Sequence, residues 1–116
     1  MTLNFSPKIA FATTGKSTCV VPGVVAGRTN VASAAVGTHG PVLEHDPRFP
    51  NRTNVEFIAP TPGEADAITM RVWERGVGET RSCGTGACAA AAVAHRRGLV
   101  GTRVTVHVPG GDLTVD

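Results

Sequence analysis

The sequence contains no tyrosine, and phenylalanine and tryptophan together make up 4% of its 116 residues. A surface that stacks nucleic-acid bases needs aromatic side chains, and no such platform is visible. The formal net charge of +2 is small and the charges are scattered, so a nucleic-acid partner is not indicated either. No apolar run is long enough to span a membrane. These absences leave a globular domain that acts on, or binds, something small.

Cysteine is also scarce, and its number is odd. Three cysteines do not suggest a disulfide framework, and they predict reduced thiols in a cytoplasmic protein. The first twelve residues show no small-residue cleavage site, so no signal peptide is expected. The length predicts one domain over residues 1–116.

Glycine and proline, by contrast, are abundant, with 14 and 8 residues, which favours short strands and turns over a helical bundle. Residues 67–74 alternate well: Ile68, Met70 and Val72 point one way, and the residues between them point the other. Further strands are predicted at 3–12, 18–25, 54–58, 103–108 and 112–115, the last two forming a hairpin across Pro109-Gly110-Gly111.

The clearest helix is predicted over residues 85–97, where an alanine run ends at Gly98. Its residues 87–94 are small on every side, which is typical of a helix inside a protein. Residues 30–40 are predicted as a loop or weak helix, and residues 40–45 as a short helical turn. The fold class predicted is α+β, with mixed strands wrapped around one buried alanine-rich helix.

Residues 81–88 read Arg-Ser-Cys-Gly-Thr-Gly-Ala-Cys and are the most informative part of the chain. They place Cys83 where a glycine-rich turn becomes a helix, and the helix N-terminus favours a thiolate there. The backbone N–H groups of residues 84–86 could bind a carboxylate or phosphate beside the sulfur. The alternative is a small buried cysteine with no chemistry. The glycine context favours a base that works on a small acid.

These residues resemble a known family. Residues 73–80 and 82–87 are similar to the C-terminal active-site signature of diaminopimelate epimerase. Residues 49–50 with 54–57, and residues 108–111, match the family's pattern too, so the resemblance covers residues 37–116. It implies one half of a two-half fold, in which each half has strands around a central helix and the substrate is closed between them.

The resemblance also implies a function: interconversion of L,L- and meso-diaminopimelate in lysine and peptidoglycan precursor synthesis, without a cofactor or a metal. Cys83 would be one of two catalytic cysteines on opposite faces of the α-carbon. Five further residues would bind the substrate: Asn54, Glu74, Arg75, Gly84 and Thr85. Without the resemblance, Glu74 and Arg75 could be an exposed charge pair and Asn54 the start of a strand.

Two departures from the family's pattern suggest that this is half an enzyme. The Cys-Gly-Asn-Gly-like run that carries the other cysteine is absent, and Gly15-Lys16-Ser17-Thr18 stands where the family has Gly-Asn-Pro-His. The closing strands expected of the family would follow Asp116. A separate N-terminal half or a second copy is therefore the expected partner. The alternative is an inactive fragment that binds a small acid or another protein.

Other features receive simpler interpretations. Cys88 is predicted to lie in the core, since it is about 140° around the helix from Cys83 and would not face the same substrate. Cys19 is predicted to lie in the core as well, because it sits in a strand-like run. The four histidines show no metal spacing. Residues 10–17 fit a relaxed P-loop, but a P-loop must open a helix, and the β-branched residues before Pro22 and Gly23 argue against one.

Overall fold

A computed structural model describes residues 8–11, 17–22, 31 and 36–116 of the chain. In this part of the chain, strands and helices follow in the order β1 Lys8–Phe11, β2 Ser17–Pro22, α1 Val36–Glu44, β3 Asn54–Pro60, β4 Ala67–Glu74, β5 Gly78–Thr80, α2 Gly84–Arg96, β6 Val104–Val108 and β7 Gly111–Val115.

The strands form one mixed sheet in the order β1-β2-β3-β4-β6-β7. β2 runs parallel to β3, and β4 runs parallel to β6, whereas the other pairs are antiparallel. The last residues of β4 pair with the short strand β5, and its first residues pair with β6. The hairpin predicted across Pro109-Gly110-Gly111 is confirmed as β6–β7.

The two faces of the sheet pack against different helices. On β4, Ile68, Met70 and Val72 are fully buried in the cluster that contains α2, while Trp73 packs against the cluster that contains α1. The alternation predicted for this strand is therefore confirmed. Each side of β3 meets a core, so six of its seven residues are buried and only Pro60 is exposed.

Helix α2 begins and ends within one residue of the prediction, and its alanines let it lie close to the strands. Its buried residues are Gly86, Ala87, Ala90, Ala91 and Ala94. The predicted fold class, mixed strands around an alanine-rich helix, is confirmed. Among the described residues, however, strands cover one side of α2, and Cys88 is exposed on the other. The prediction that Cys88 lies in the core was wrong for this reason, whereas Cys19 is fully buried as predicted.

Helix α1 is longer than the predicted turn at residues 40–45. It begins at Val36 and continues through Pro41, although proline cannot donate a helical hydrogen bond. Packing outweighs this penalty, because Val36 and Leu43 are buried against the sheet. Gly40 lies directly against Trp73: a Cβ at Gly40 would be 2.5 Å from the Trp73 Cγ atom.

The N-terminal strands exclude the P-loop. Phe11 pairs with Ser17 in the β1–β2 ladder, so Ser17 opens a strand and not a phosphate-binding helix. Residues 3–7, 12 and 23–25 of the predicted strands lie outside the described residues. None of the described helices is both long and apolar enough to cross a membrane.

Candidate active site

The N-terminus of α2 is built around Cys83. This residue is the N-cap, with extended backbone angles, and its Sγ accepts a hydrogen bond from the Gly86 N–H at 3.3 Å. Cysteine is not among the residues that best stabilise a helix as N-cap, so its place here suits a chemical role better than a structural one. The thiol is half-buried, and Gly84 and Thr85 beside it are exposed.

The first N–H groups of a helix have no acceptor within the helix. At this end of α2 those groups belong to Gly84 and Thr85, the residues expected to bind a carboxylate. A Cβ at Gly84 would meet nothing within 4 Å, so the space beside its backbone is open. Together with the positive end of the helix dipole, this geometry suits an anion next to the Cys83 sulfur.

Asn54 and Arg75 are brought together by the antiparallel pairing of β3 with β4. The Asn54 side-chain oxygen accepts a hydrogen bond from the Arg75 backbone N–H at 2.7 Å, and Asn54 is 6% exposed. The Arg75 guanidinium donates to the Asn51 carbonyl at 3.0 Å. Asn54 therefore holds the turn that follows β4 and fixes the position of the Arg75 backbone.

Glu74 connects this turn to the segment that leads into α2. Its carboxylate accepts a hydrogen bond from the Thr80 hydroxyl on β5, three residues before Cys83. Glu74 also lies near enough to Glu56 for its negative charge to raise the pKa of that residue. The carboxylate thus lies on the α2 side of the sheet, at the same end as the thiol.

A second carboxylate supports the turn from the other face of the sheet. Glu44, at the end of α1, accepts hydrogen bonds from the Trp73 indole and the Gly76 N–H, both at 2.9 Å. Burial by itself would raise the pKa of Glu44, but these two donors and the nearby charges of His45 and Arg52 hold it below its ordinary value. Glu44 stays charged and braces the turn around Arg75.

The β6–β7 turn contacts the segment before Cys83. The Gly110 N–H donates to the Arg81 carbonyl at 2.9 Å, and the Arg81 guanidinium donates to the Pro109 carbonyl at 3.1 Å. A Cβ at Gly110 would lie 3.1 Å from that Arg81 carbonyl oxygen. This close approach gives a structural reason for the Pro-Gly-Gly sequence that follows β6.

The structure therefore gathers all six predicted site residues at one end of the sheet: Cys83, Gly84, Thr85, Asn54, Glu74 and Arg75. Thr18 pairs with Asn54 in the β2–β3 register, so it reaches the same end. It stands where the resemblance expects a histidine. Residues 15 and 16 of that run lie outside the described residues.

One neighbour of the site was missed from the sequence. Glu56, in the middle of β3, is fully buried, and its Oε1 would be 2.7 Å from a Cβ placed at Gly86. A charged residue inside the apolar run 55–59 was the available signal. In the part of the chain described, no group of three or more histidine, cysteine or acidic residues could hold a metal ion.

Known structures with a similar architecture define the fold class first. A phenazine biosynthesis protein of the PhzF family from Bacillus anthracis superposes with a TM-score of 0.59 over 93% of this chain and 33% of its own, at 19% identity. A PhzF-family protein from Enterococcus faecalis gives 0.58 at 18% identity, over 93% of this chain and 38% of its own. This likeness shows a PhzF-like α+β fold.

Sequence comparison narrows the class to one family. The family model described as diaminopimelate epimerase matches residues 12–116. The diaminopimelate epimerase of Moorella thermoacetica is 50% identical over 106 residues, which are 89% of this chain and 37% of that protein. That of Pelotomaculum thermopropionicum is 58% identical over 80 residues, 68% of this chain and 28% of that protein. The chain belongs to the diaminopimelate epimerase family and spans about a third of the length of these relatives.

Proposed function

We propose that this chain supplies one catalytic half of a diaminopimelate epimerase, which interconverts the L,L and meso isomers. The observation that carries the proposal is the Cys83 thiol at the N-terminus of α2, beside the open backbone of Gly84. The cysteines of the described residues are thiols and not disulfides, which suits a reducing compartment, so we infer that the reaction takes place in the cytoplasm.

In this proposal the Cys83 sulfur takes the α-proton from one isomer, or returns a proton to the carbanion formed from the other. The α-proton is very weakly acidic, so the carbanion needs donors already aimed at it. The N–H groups of Gly84 and Thr85 would bind the α-carboxylate and draw charge from the α-carbon. Glu74, Arg75 and Asn54 would hold the polar end of the substrate.

Inversion also needs a second acid or base on the opposite face of the α-carbon, and the chain's own cysteines are poorly suited to that task. Cys19 is fully buried, and burial together with the charge of Glu56 raises its pKa to about 12. Cys88 lies about 140° around the helix from Cys83 and so does not face the same substrate. It lines a groove between α2 and the β6–β7 strands, with Ala92 and Val115. We infer that the second group comes from an N-terminal half or from a second copy.

The test is conversion of L,L-diaminopimelate to the meso form by the purified chain, before and after addition of an N-terminal half from a complete epimerase. We expect little or no conversion by the chain by itself and measurable conversion by the mixture. In the mixture, Cys83→Ala should lower turnover by at least about 100-fold, because an acid–base group is lost. Cys88→Ser, on the same helix, should leave it unchanged.

The same assay addresses the alternative, a small-acid-binding domain without activity. This alternative is favoured by the absence of a well-placed second base among the described cysteines, since neither Cys19 nor Cys88 suits that role. Exchange of the substrate α-proton with deuterium from D2O, absent in Cys83→Ala, would support the epimerase half. Binding of diaminopimelate without exchange or conversion, even in the mixture, would support the binding domain. Robust turnover by the chain by itself would contradict the need for a second half.

A further inference from the structure

Glu56 is the most unusual side chain outside the residues assigned above. It lies in the middle of β3 and is fully buried. The sheet register places Val20 on one side of it and Val72 on the other, and both valines are fully buried as well. A carboxyl group with apolar neighbours on both adjacent strands is rare, because burying a charge is costly.

The Glu56 carboxyl faces the first turn of α2. A Cβ at Gly86 would lie 2.7 Å from its Oε1 and 3.1 Å from its Cγ, so this carboxyl packs directly against the glycine backbone. The N–H of the same glycine donates to the Cys83 Sγ at 3.3 Å. Glu56 and the Cys83 thiol therefore lie on two sides of one residue, at the positive end of the helix.

Neither oxygen of this carboxyl has a hydrogen-bond partner among the described residues. A buried carboxylate without a partner is far less stable than the uncharged acid. Burial, and secondarily the charge of Glu74, raises the pKa of Glu56 to about 8. Of the ionisable groups on the elements around it, Glu74 on β4 raises the pKa of Glu56, and Glu56 in turn raises that of Cys19 on β2. Cys83, at the start of α2, is separated from Glu56 by Gly86.

We propose that Glu56 is a positioning residue that remains an uncharged carboxylic acid behind the first turn of α2 and thereby leaves the positive helix end to the Cys83 thiolate. An ionised Glu56 would repel that thiolate across Gly86. The two groups would then titrate in competition, so that the group that ionises second does so at a higher pH. This inference rests on the proposed acid–base role of Cys83.

The experiment measures both titrations on the full chain without substrate. The Glu56 carboxyl is followed by 13C NMR, and the alkylation rate of each cysteine is followed against pH by mass spectrometry of its peptide. We expect Glu56 to be uncharged at neutral pH. Of Glu56 and Cys83, the group that ionises second should have its titration midpoint lowered by about one pH unit when the other group is removed. The variants are Cys83→Ser, for the Glu56 midpoint, and Glu56→Gln, for the Cys83 midpoint.

Two controls are built into the chain. Glu64→Gln removes an exposed carboxylate that contacts His107 and should change neither midpoint. The exposed thiol of Cys88 should show the same rate profile in every variant. If Glu56→Gln does not fold, the wild type and Cys83→Ser still report the Glu56 midpoint, and ionisation of Glu56 below neutral pH overturns the proposal.

Two unmoved midpoints would also overturn it, because the groups would then not be coupled. Failure of the proposed function is distinguishable, since it is measured by turnover of diaminopimelate and not by titration. Coupling without turnover would leave Glu56 as the residue that controls the Cys83 charge in a chain that is not an epimerase half.

Discussion

Two glycines near the N-terminus of α2, Gly84 and Gly86, are chemically identical but have different surroundings in the fold. Gly84 faces open space, whereas Gly86 contacts the buried carboxyl of Glu56. Both have ordinary backbone angles, so a left-handed conformation does not require glycine at either position. The difference between them is steric, and it arises because β3 passes behind one glycine and not the other.

This difference predicts that Gly86→Ala destabilises the chain by about 1–3 kcal/mol, since the new methyl group overpacks against Glu56. Gly84→Ala should change the free energy of unfolding little. Urea unfolding of both variants checks the prediction. The double variant Gly86→Ala with Glu56→Ala should be less destabilised than the sum of its single changes, and strict additivity would contradict direct contact.

At the scale of secondary structure elements, α1 supports the site without belonging to it. The helix packs on Trp73 through Gly40, and its last residue, Glu44, binds the Trp73 indole and the Gly76 N–H. These contacts hold the end of β4 and the turn that carries Arg75. A disturbance of α1 should therefore reach the site through this turn.

Two glycines of α1 form a matched pair for testing this connection. Gly40→Ala would place a methyl group within 2.8 Å of three Trp73 atoms, whereas Gly37→Ala meets nothing within 4 Å. We expect Gly40→Ala to cost about 1–3 kcal/mol of stability by overpacking. Gly37→Ala should be neutral or gain up to about 1 kcal/mol from helix propensity.

Thermal unfolding measures both effects, and tryptophan fluorescence reports whether the single Trp73 has moved. An equal loss of stability in the two variants would show that Gly40 has no special contact. A shift of Trp73 fluorescence in Gly40→Ala but not in Gly37→Ala is the expected signature.

For the whole molecule, buried and paired ionisable groups set how stability depends on pH. The pKa of Glu56 is raised to about 8, so the folded chain keeps a proton that the unfolded chain releases. Stability therefore falls as pH rises towards 8, by up to about 1.4 kcal/mol per pH unit. His107 acts in the same direction, because hydrogen bonds to Asp112 and Glu64 raise its pKa. The stability that His107 contributes to the folded chain is lost as pH rises through its raised pKa.

Glu44 and Asp46 act in the opposite direction. Their pKa values are lowered, so their stabilisation is present above the ordinary carboxyl range and is lost as pH falls. We expect stability to be greatest at mildly acidic pH and to decline towards alkaline pH. Urea unfolding midpoints across the pH range check this, and Glu56→Gln should remove most of the decline between about pH 5 and about pH 8. The decline above about pH 9 should remain, because it comes from the buried Cys19 thiol, whose pKa is raised to about 12. A stability optimum above about pH 8 would contradict the expected direction of this dependence.

Features that depend on local sequence pattern could be predicted without the fold. Alternation in residues 67–74 specified which side chains of β4 face each core, and the alanine run ending at Gly98 specified α2. The spacing of Cys83, Gly84 and Gly86 indicated the helix N-terminus at which we propose that a carboxylate binds, because an N-cap and its first N–H groups lie within a few residues of each other.

Features that depend on contacts between distant residues followed instead from the packing of the folded chain. The exposure of Cys88 follows from which side of α2 the strands cover, and the length of α1 follows from packing that outweighs Pro41. The burial of Glu56 behind Gly86 joins residues 30 positions apart across a strand and a helix. Burial and packing act between elements brought together by the sheet, so local sequence pattern does not determine them.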